Sequence, residues 1–348
     1  MADTAYSINH AMAQQHWSKE LMKEALKRTM MTKFMSKGDN SLIKIKEEMK
    51  ESGYKVTYGL RMQLAGDGVV GDGILEGSEE SLALYTDSLV IDQLRHAVRT
   101  EGRASEQRVP FDTRSEAKDA LADWWSARID TTLFNHLAGI STQTNAAYTG
   151  NNTITAPSTG RQIFANGETA EANCSDSTNS RFTIGLLDQA IETAKVATPQ
   201  IQPIRMNGKE YYVCFLHPYQ VKDLRTEVST SRVTWYGVQS AALTANGSAS
   251  NPIFTGALGE YNGVILHESN YVPASPTVAA CRRAIFAGSN AACVAFGKGD
   301  GPNRMTWVEE LFDYKNKLGV SAGLIWGAKK SVYNSTDYGT IVISTGAA

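Results

Sequence analysis

The sequence predicts an α+β fold. Residues 113–138 carry unbroken helical periodicity, the chain from Gly263 onward reads as short strands, and helices and strands do not alternate regularly. That order argues against a doubly wound sheet or a barrel. The 348 residues make one large or two ordinary domains at roughly 150 residues each. Apolar residues are 42% and charged residues 20%, enough apolar material for a sizeable core. Lys plus Arg is 34 against 36 for Asp plus Glu, a net charge of −2. Such a balance excludes nucleic-acid binding by bulk positive charge. No apolar run approaches the ~18 residues of a membrane helix. Met1 to Ala5 have neither a basic nor an apolar stretch, so no signal peptide is expected.

The first segment reads as a helix. Ile8, Met12, Trp17, Leu21, Leu26 and Met30 recur at near-helical spacing, with Lys19, Lys23 and Lys27 on another face. It precedes any compact stretch, so an arm that packs on something else and a peripheral helix both fit. Gly38-Asp39-Asn40 then breaks the chain. From Tyr54 to Leu64 the period changes to two: Tyr54, Val56, Tyr58, Leu60, Met62 and Leu64 form one apolar face of a strand. A glycine- and acid-rich stretch follows (Gly66, Asp67, Gly68, Gly71, Asp72, Gly73, Glu76, Gly77, Glu79, Glu80), and extended pattern resumes at Leu82, Leu84 and Leu89 to Ile91. This is a two-stranded excursion with a flexible acidic tip. An isolated hairpin is marginal in water, so a long one needs a partner surface, such as another chain.

Over 113–138, Ala117, Ala120, Leu121, Trp124, Ile129, Leu133 and Leu137 keep 3–4 spacing. Thr113 and Glu116 fit a capping box, and Gly139 supplies the stop. The helix would be about 39 Å long. Residues 141–180 are rich in Thr, Asn, Ser and Gly and read as a surface excursion. Residues 183–197 are helical again, Tyr211 to Leu216 form a buried strand closed by His217-Pro218, and Val221 to Leu224 open a helix. Residues 228–259 are nearly charge-free. Strands are then expected at Val264–Leu266, Ala284–Phe286, Val294–Phe296, Met305–Phe312, Val320–Trp326 and Ile341–Ile343.

Candidate chemistry is thin. Gly66-Asp67-Gly68-Val69-Val70-Gly71 matches G-x-G-x-x-G, but a dinucleotide site needs a helix to start there, and here more glycines and a strand follow. Gly319-Val320-Ser321-Ala322-Gly323 matches G-x-S-x-G, yet the last histidine, His267, precedes it, whereas a hydrolase of that type places its histidine after the serine. The tip acids do not follow a calcium-loop order. The six histidines lack H-E-x-x-H spacing and read as caps or core residues. Trp124-Trp125 reads as helix packing. Cys174, Cys214, Cys281 and Cys293 have no C-x-x-C pair and suit buried free thiols. Arg282-Arg283 and Lys329-Lys330 read as exposed, partly paired basic clusters, with weak phosphate contact as the other option. Neither cofactor nor metal is expected.

Several blocks, in order, carry a family resemblance: Val56-Thr57-Tyr58-Gly59-Leu60, Leu75-Glu76-Gly77-Ser78-Glu79-Glu80, Ile91-Asp92-Gln93-Leu94-Arg95-His96, Leu258-Gly259-Glu260-Tyr261-Asn262-Gly263-Val264, Phe312-Asp313-Tyr314-Lys315-Asn316-Lys317-Leu318-Gly319 and Lys329-Lys330-Ser331-Val332-Tyr333-Asn334. With them the chain resembles the phage N-four-type major capsid proteins, which have the Hong Kong 97-like capsid fold. The resemblance implies an N-terminal arm at 1–40, with Ile8, Met12, Trp17 and Leu21 as contacts, and a peripheral-domain helix at 41–53. It implies an E-loop hairpin at 54–97 whose tip acts between subunits. A peripheral domain with a spine helix (98–140), a surface insertion (141–182), an axial domain (183–303), peripheral strands (304–335) and a C-terminal strand (336–348) would follow. The implied function is a non-enzymatic shell subunit of a tailed double-stranded DNA phage. It would form hexamers and pentamers of an icosahedral head, assembled in the host cytoplasm, with scaffolding, portal and cement proteins as candidate partners. It would enclose DNA without sequence-specific binding and without a membrane. Glycines at the tip would let one sequence fit slightly different neighbours. An encapsulin-type nanocompartment shell is the alternative on the same fold; a nucleotide-binding enzyme using the Gly/Asp loop is the rival from another class.

Overall fold

The apolar run closed by His217-Pro218 is a central strand of a mixed sheet, buried on both faces. The structure, a computed structural model, describes residues 30–48, 53–61, 64, 66–109, 112–175, 179–206, 208–227, 237, 258–297 and 305–347. Ile8, Met12, Trp17 and Leu21 lie outside them, as does nearly all of 228–259. In chain order the elements are β1 (Met35–Ser36), β2 (Ile43–Glu48), β3 (Lys55–Arg61), β4 (Leu84–Val90), β5 (Asp92–Arg99), α1 (Arg103–Gln107), α2 (Thr113–Ala138) and α3 (Ala146–Thr149). Then come β6 (Gln162–Phe164), α4 (Ile184–Val196), β7 (Ile204–Met206), β8 (Lys209–Leu216), α5 (Pro218–Arg225), β9 (Gly259–Tyr261), β10 (Val264–Glu268), β11 (Cys281–Ala287) and β12 (Ala292–Phe296). The last are β13 (Thr306–Phe312), β14 (Lys317–Lys330), β15 (Val332–Tyr333), β16 (Thr336–Asp337) and β17 (Thr340–Gly346).

Two compact units emerge. The larger holds the described residues of Thr29–Leu94, Ala127–Met305 and Leu324–Ala348. Its sheet runs β6-β17-β11-β8-β10-β9, with β7 also on β8. Strands β10 and β8 are parallel, as are β17 and β6; β11 is antiparallel to both β17 and β8. Alternation decides which side chain goes where. Tyr212, Cys214 and Leu216 of β8, with Ala284 and Phe286 of β11, join a core that includes Leu187, Ala190, Ile191 and Ala194 of α4. Phe215 points the other way, its ring edge-on to Phe134 of α2 at 5.4 Å. A strand buried on both faces reads as continuous apolar sequence. His217 caps α5 through a capping box, its side chain accepting from the Tyr219 amide while Gln220 accepts from the His217 amide at 3.0 Å.

Strand β12 is flanked in this unit by β2, parallel, and by the end of β14, antiparallel. One expectation is corrected here. Within the helix expected at 41–53, Ile43–Glu48 is a strand, because period two in Ile43 and Ile45 matches the β12 edge. Strand β12, which falls in the stretch 183–303, pairs in this sheet and not in the seven-stranded one.

The smaller unit holds the described residues of Arg95–Ser126 and Thr306–Gly323. Within it β13 pairs antiparallel with the start of β14, and the Thr100 amide donates to the Leu318 carbonyl at 2.8 Å. Helix α2 contributes residues to both units and has the predicted bounds. Its cap differs: the Asp112 carboxylate, not Thr113, accepts from the Arg114 amide at 3.1 Å. Asp is as good a cap as Thr, and Asp112 stands one residue ahead of the first helical residue. Gly139 ends the helix at φ +66°, where an added Cβ would meet Thr155 O at 2.9 Å.

Residues 141–182 are not a surface insertion. Strand β6 forms the edge of the seven-stranded sheet beside β17, and Ile154, Ile163, Cys174 and Phe182 are buried. Nor are the basic pairs exposed faces. Arg283 forks onto Glu171 at 2.6 and 2.7 Å, both side chains buried. Lys330 meets Asp337 at 2.8 Å in the interior, and Lys329 binds Asp87. All four cysteines are buried free thiols.

Buried His136 on α2 gives a pH prediction. Its Nε2 is 2.7 Å from the Thr149 carbonyl, so that nitrogen carries the proton, while Nδ1 has no partner. Burial pushes its pKa down to about 4. The neutral ring therefore contributes stability present above pH ~6.5 and lost as pH falls toward 4, about 3 kcal/mol in all. Urea midpoints of the free subunit should fall across that interval, and fall less steeply in a His136→Gln variant. An unchanged slope in the variant would contradict this.

Candidate assembly surface

The β3–β4 hairpin pairs in register from Lys55 with Val90 to Arg61 with Leu84. Its root is closed. Tyr58, Leu89 and Ile91, with Val56, Leu60 and Tyr85 beside them, cluster on Cys293, Ala295, Ile325, Tyr333 and Tyr338. The partner surface expected for the excursion is, at the root, the chain's own body rather than another chain: one face of the root is covered by it.

The tip is different. Residues 66–83 have no helix or strand, and all are exposed. Val70 is 92% exposed and Ile74 77%; Leu75, Leu82 and Leu84 are also bare. The predicted tip residues Gly66, Asp67, Gly68, Gly71, Asp72, Gly73, Glu76, Glu79 and Glu80 all lie here. Short internal bonds brace it: the Gly66 amide donates to Glu80 Oε2 and the Gly77 amide to Glu79 Oε2, both at 2.7 Å, and the Ser78 amide to Leu75 O at 2.9 Å. Gly68, Gly71 and Gly77 take positive φ, which glycine adopts without steric cost. No helix starts at this loop, so the amides a pyrophosphate needs are not presented. Among the described residues no three His, Cys, Asp or Glu side chains are gathered to hold a metal. The G-x-S-x-G motif runs along β14 with Val320 and Ala322 buried, which is no nucleophile elbow.

A second bare set was missed by sequence reasoning. Strand β13 is exposed along its length, with Trp307, Val308, Leu311 and Phe312 uncovered, and Tyr314 at the turn fully exposed. Apolar residues at both parities were the available signal, since a half-buried strand would alternate. Arg114 grips Glu309 with Nε at 3.0 Å and Nη2 at 2.7 Å and holds that carboxyl below the usual range; Trp307 Nε1 donates to the same group at 2.8 Å. Asp313, Tyr314 and Lys315 all have positive φ, a tight turn built without glycine. No described helix is long and apolar enough to cross a membrane.

A closed interior that leaves a hairpin tip with bare apolar side chains and shows no gathered catalytic or metal-binding groups among the described residues points to a class of protein, a structural subunit. The comparisons with known proteins agree. A family model described as phage capsid protein matches residues 5–348. The major capsid protein of Pseudomonas phage KPP25 is 29% identical over 95% of this chain and 94% of its own length. The capsid structure of Ralstonia phage GP4 is 31% identical, covers 100% of this chain and 99% of its own, and superposes with a TM-score of 0.80. The capsid asymmetric unit of cyanophage Pam1, at 20% identity and full coverage of both chains, shares the fold with a TM-score of 0.80. The chain belongs to the phage capsid protein family, with the Hong Kong 97-like fold. Its role is that of a phage major capsid protein, a structural part of the virion shell. These matches favour the phage shell over a cargo compartment or a nucleotide-binding enzyme.

Proposed function

We propose that this chain builds an icosahedral head around double-stranded DNA by packing as hexamers and pentamers, and that the tip at 66–80 acts between subunits as an E-loop. The observation that carries this is the contrast within one hairpin: a root closed on its own body, and a tip with Val70, Ile74 and Leu75 bare. Burying such side chains stabilises by about 1.5–3 kcal/mol each, a gain available only when another surface arrives. In this reading α2 is the spine helix of the peripheral domain and the seven-stranded sheet is the axial domain. The arm, with Ile8, Met12, Trp17 and Leu21, reaches a neighbour. Assembly takes place in the host cytoplasm, with scaffolding, portal and cement proteins as further partners, and the near-neutral chain encloses DNA without reading its sequence. Electron microscopy of the purified full chain, alone and with a scaffolding protein, should show closed shells. A stable monomer under both conditions would contradict the proposal.

A further inference from the structure

The root of the hairpin is held more precisely than packing requires. At the end of β4 the Asn152 side chain treats Val90 as a neighbouring strand would. Its Oδ1 accepts from the Val90 amide at 2.9 Å, and its Nδ2 donates to the Val90 carbonyl at 2.9 Å and to Gly150 O at 2.8 Å. Gly327 of β14 lies under the same residue, so close that an added Cβ would overlap the Val90 carbonyl oxygen. Three residues back along β4, the Asp87 carboxylate is a second fixing point. It accepts from Lys329 Nζ, from the Tyr58 hydroxyl at 3.1 Å and from the Val332 amide at 3.4 Å, while Lys329 also donates to Ser88 O at 3.2 Å. The side chains of Asp87 and Lys329 are 9% and 19% exposed, so water competes weakly for the pair. Tyr58 lies on β3, so this second point ties both strands of the hairpin to the β14–β15 region. A hydrophobic contact tolerates sliding; two directional hydrogen-bond sets some residues apart do not.

We propose that Asn152 and Asp87 are positioning residues of shell assembly: together they form a joint that fixes the angle at which the hairpin leaves the subunit, and through it the curvature of the shell. The inference rests on the tip acting between subunits. Strand β3 has seven residues, about 23 Å at the strand rise of ~3.3 Å per residue. A rotation of ~10° at its base moves the far end by ~4 Å on that length, a distance comparable to a van der Waals contact. A loosened joint would leave the tip able to bind yet unable to bind at one angle.

The test uses full-length Asn152→Ala and Asp87→Asn, with the 65–78 deletion as comparison, scored by thermal unfolding of the free subunit and by particle morphology in negative stain. Folded variants that still assemble, but with at least a threefold lower fraction of closed shells of wild-type diameter and more tubes, sheets or off-size shells, are expected. A stable fold with the wild-type size distribution overturns the joint, whatever the deletion does. A deletion that assembles normally overturns instead the intersubunit role of the tip. Should Asp87→Asn fail to fold, Asp87→Asn/Lys329→Met, which removes both charges of the pair, is scored by the same size criterion. Normal shells from it and from Asn152→Ala overturn the proposal.

Discussion

A chain lacking residues 65–78 should fold as the wild-type subunit does and yield no closed shells. The deleted stretch contains the bare Val69, Val70, Ile74 and Leu75, and its described residues 66–78 are all exposed. The cluster formed by Tyr58, Leu89, Ile91, Cys293 and Tyr333 remains, so the root keeps its intramolecular support. Removing exposed apolar side chains costs the free subunit almost nothing, and surface changes away from buried features usually stay within about 0.5 kcal/mol. The thermal midpoint of the free subunit should move by only a few degrees on that basis. On the proposed intersubunit role of the tip, by contrast, the deletion removes several apolar contacts at every copy of an interface and should abolish assembly. A deletion that unfolds the free subunit would show that the tip belongs to an intramolecular core.

The second large effect is on folding itself. Arg283→Ala should destabilise the subunit by about 3–5 kcal/mol, the cost of breaking one partner from a buried ion pair. Arg283 spends four donor contacts: Nε and Nη2 on Glu171, and Nη1 on the carbonyls of Ala138 at 3.0 Å and Gly139 at 2.8 Å. The Ala138 carbonyl belongs to the last turn of α2, where carbonyls lack intrahelical donors, and the Gly139 carbonyl also accepts from the Ser141 amide at 3.0 Å, so one guanidinium joins the end of the long helix, the 141–182 segment and the central sheet. Ser344 on β17 donates to the same carboxylate at 3.0 Å. Burial pushes the Glu171 carboxyl up, but Arg283 and the serine hydroxyls outweigh it and hold the group below its ordinary value. Without Arg283 the charge is left stranded. The double variant Arg283→Met/Glu171→Gln should recover part of the loss, because it removes both charges. Chemical denaturation of the three proteins measures this; a single variant within 1 kcal/mol of wild type would contradict the account.

How much of this was legible follows from where each signal resides. Helix α2 was readable to the residue because its apolar spacing and the stop at Gly139 are local. The hairpin was readable because alternation from Tyr54 to Leu60 and the glycines beyond it are local too. The 141–182 segment was not. Its composition is polar, and what draws it inward is a few scattered residues whose partners are remote: Glu171 with Arg283, and Ile163 beside Ile343 of β17. The helix expected at 41–53 came from the family resemblance, and the strand Ile43–Glu48 stands within it. Lys44, Lys46, Glu47 and Glu48 are good helix formers, and tertiary pairing with β12 overrode them. In the candidate site the tip was legible from exposed-type residues and glycines, whereas the joint was not. Asn152 reads as one more loop asparagine until Val90 is seen against it, and Gly327 reads as a break in a strand until the carbonyl above it is seen.

The measurement that tests the central claim most directly is a density map of the assembled particle at side-chain resolution, read at residues 69–75. Val70, Ile74 and Leu75 should each lie against a neighbouring copy, with the β3–β4 root still seated on Cys293 and Tyr333 of its own chain. A map in which those three side chains face solvent, or fold back on their own subunit while the shell stays closed, would contradict it.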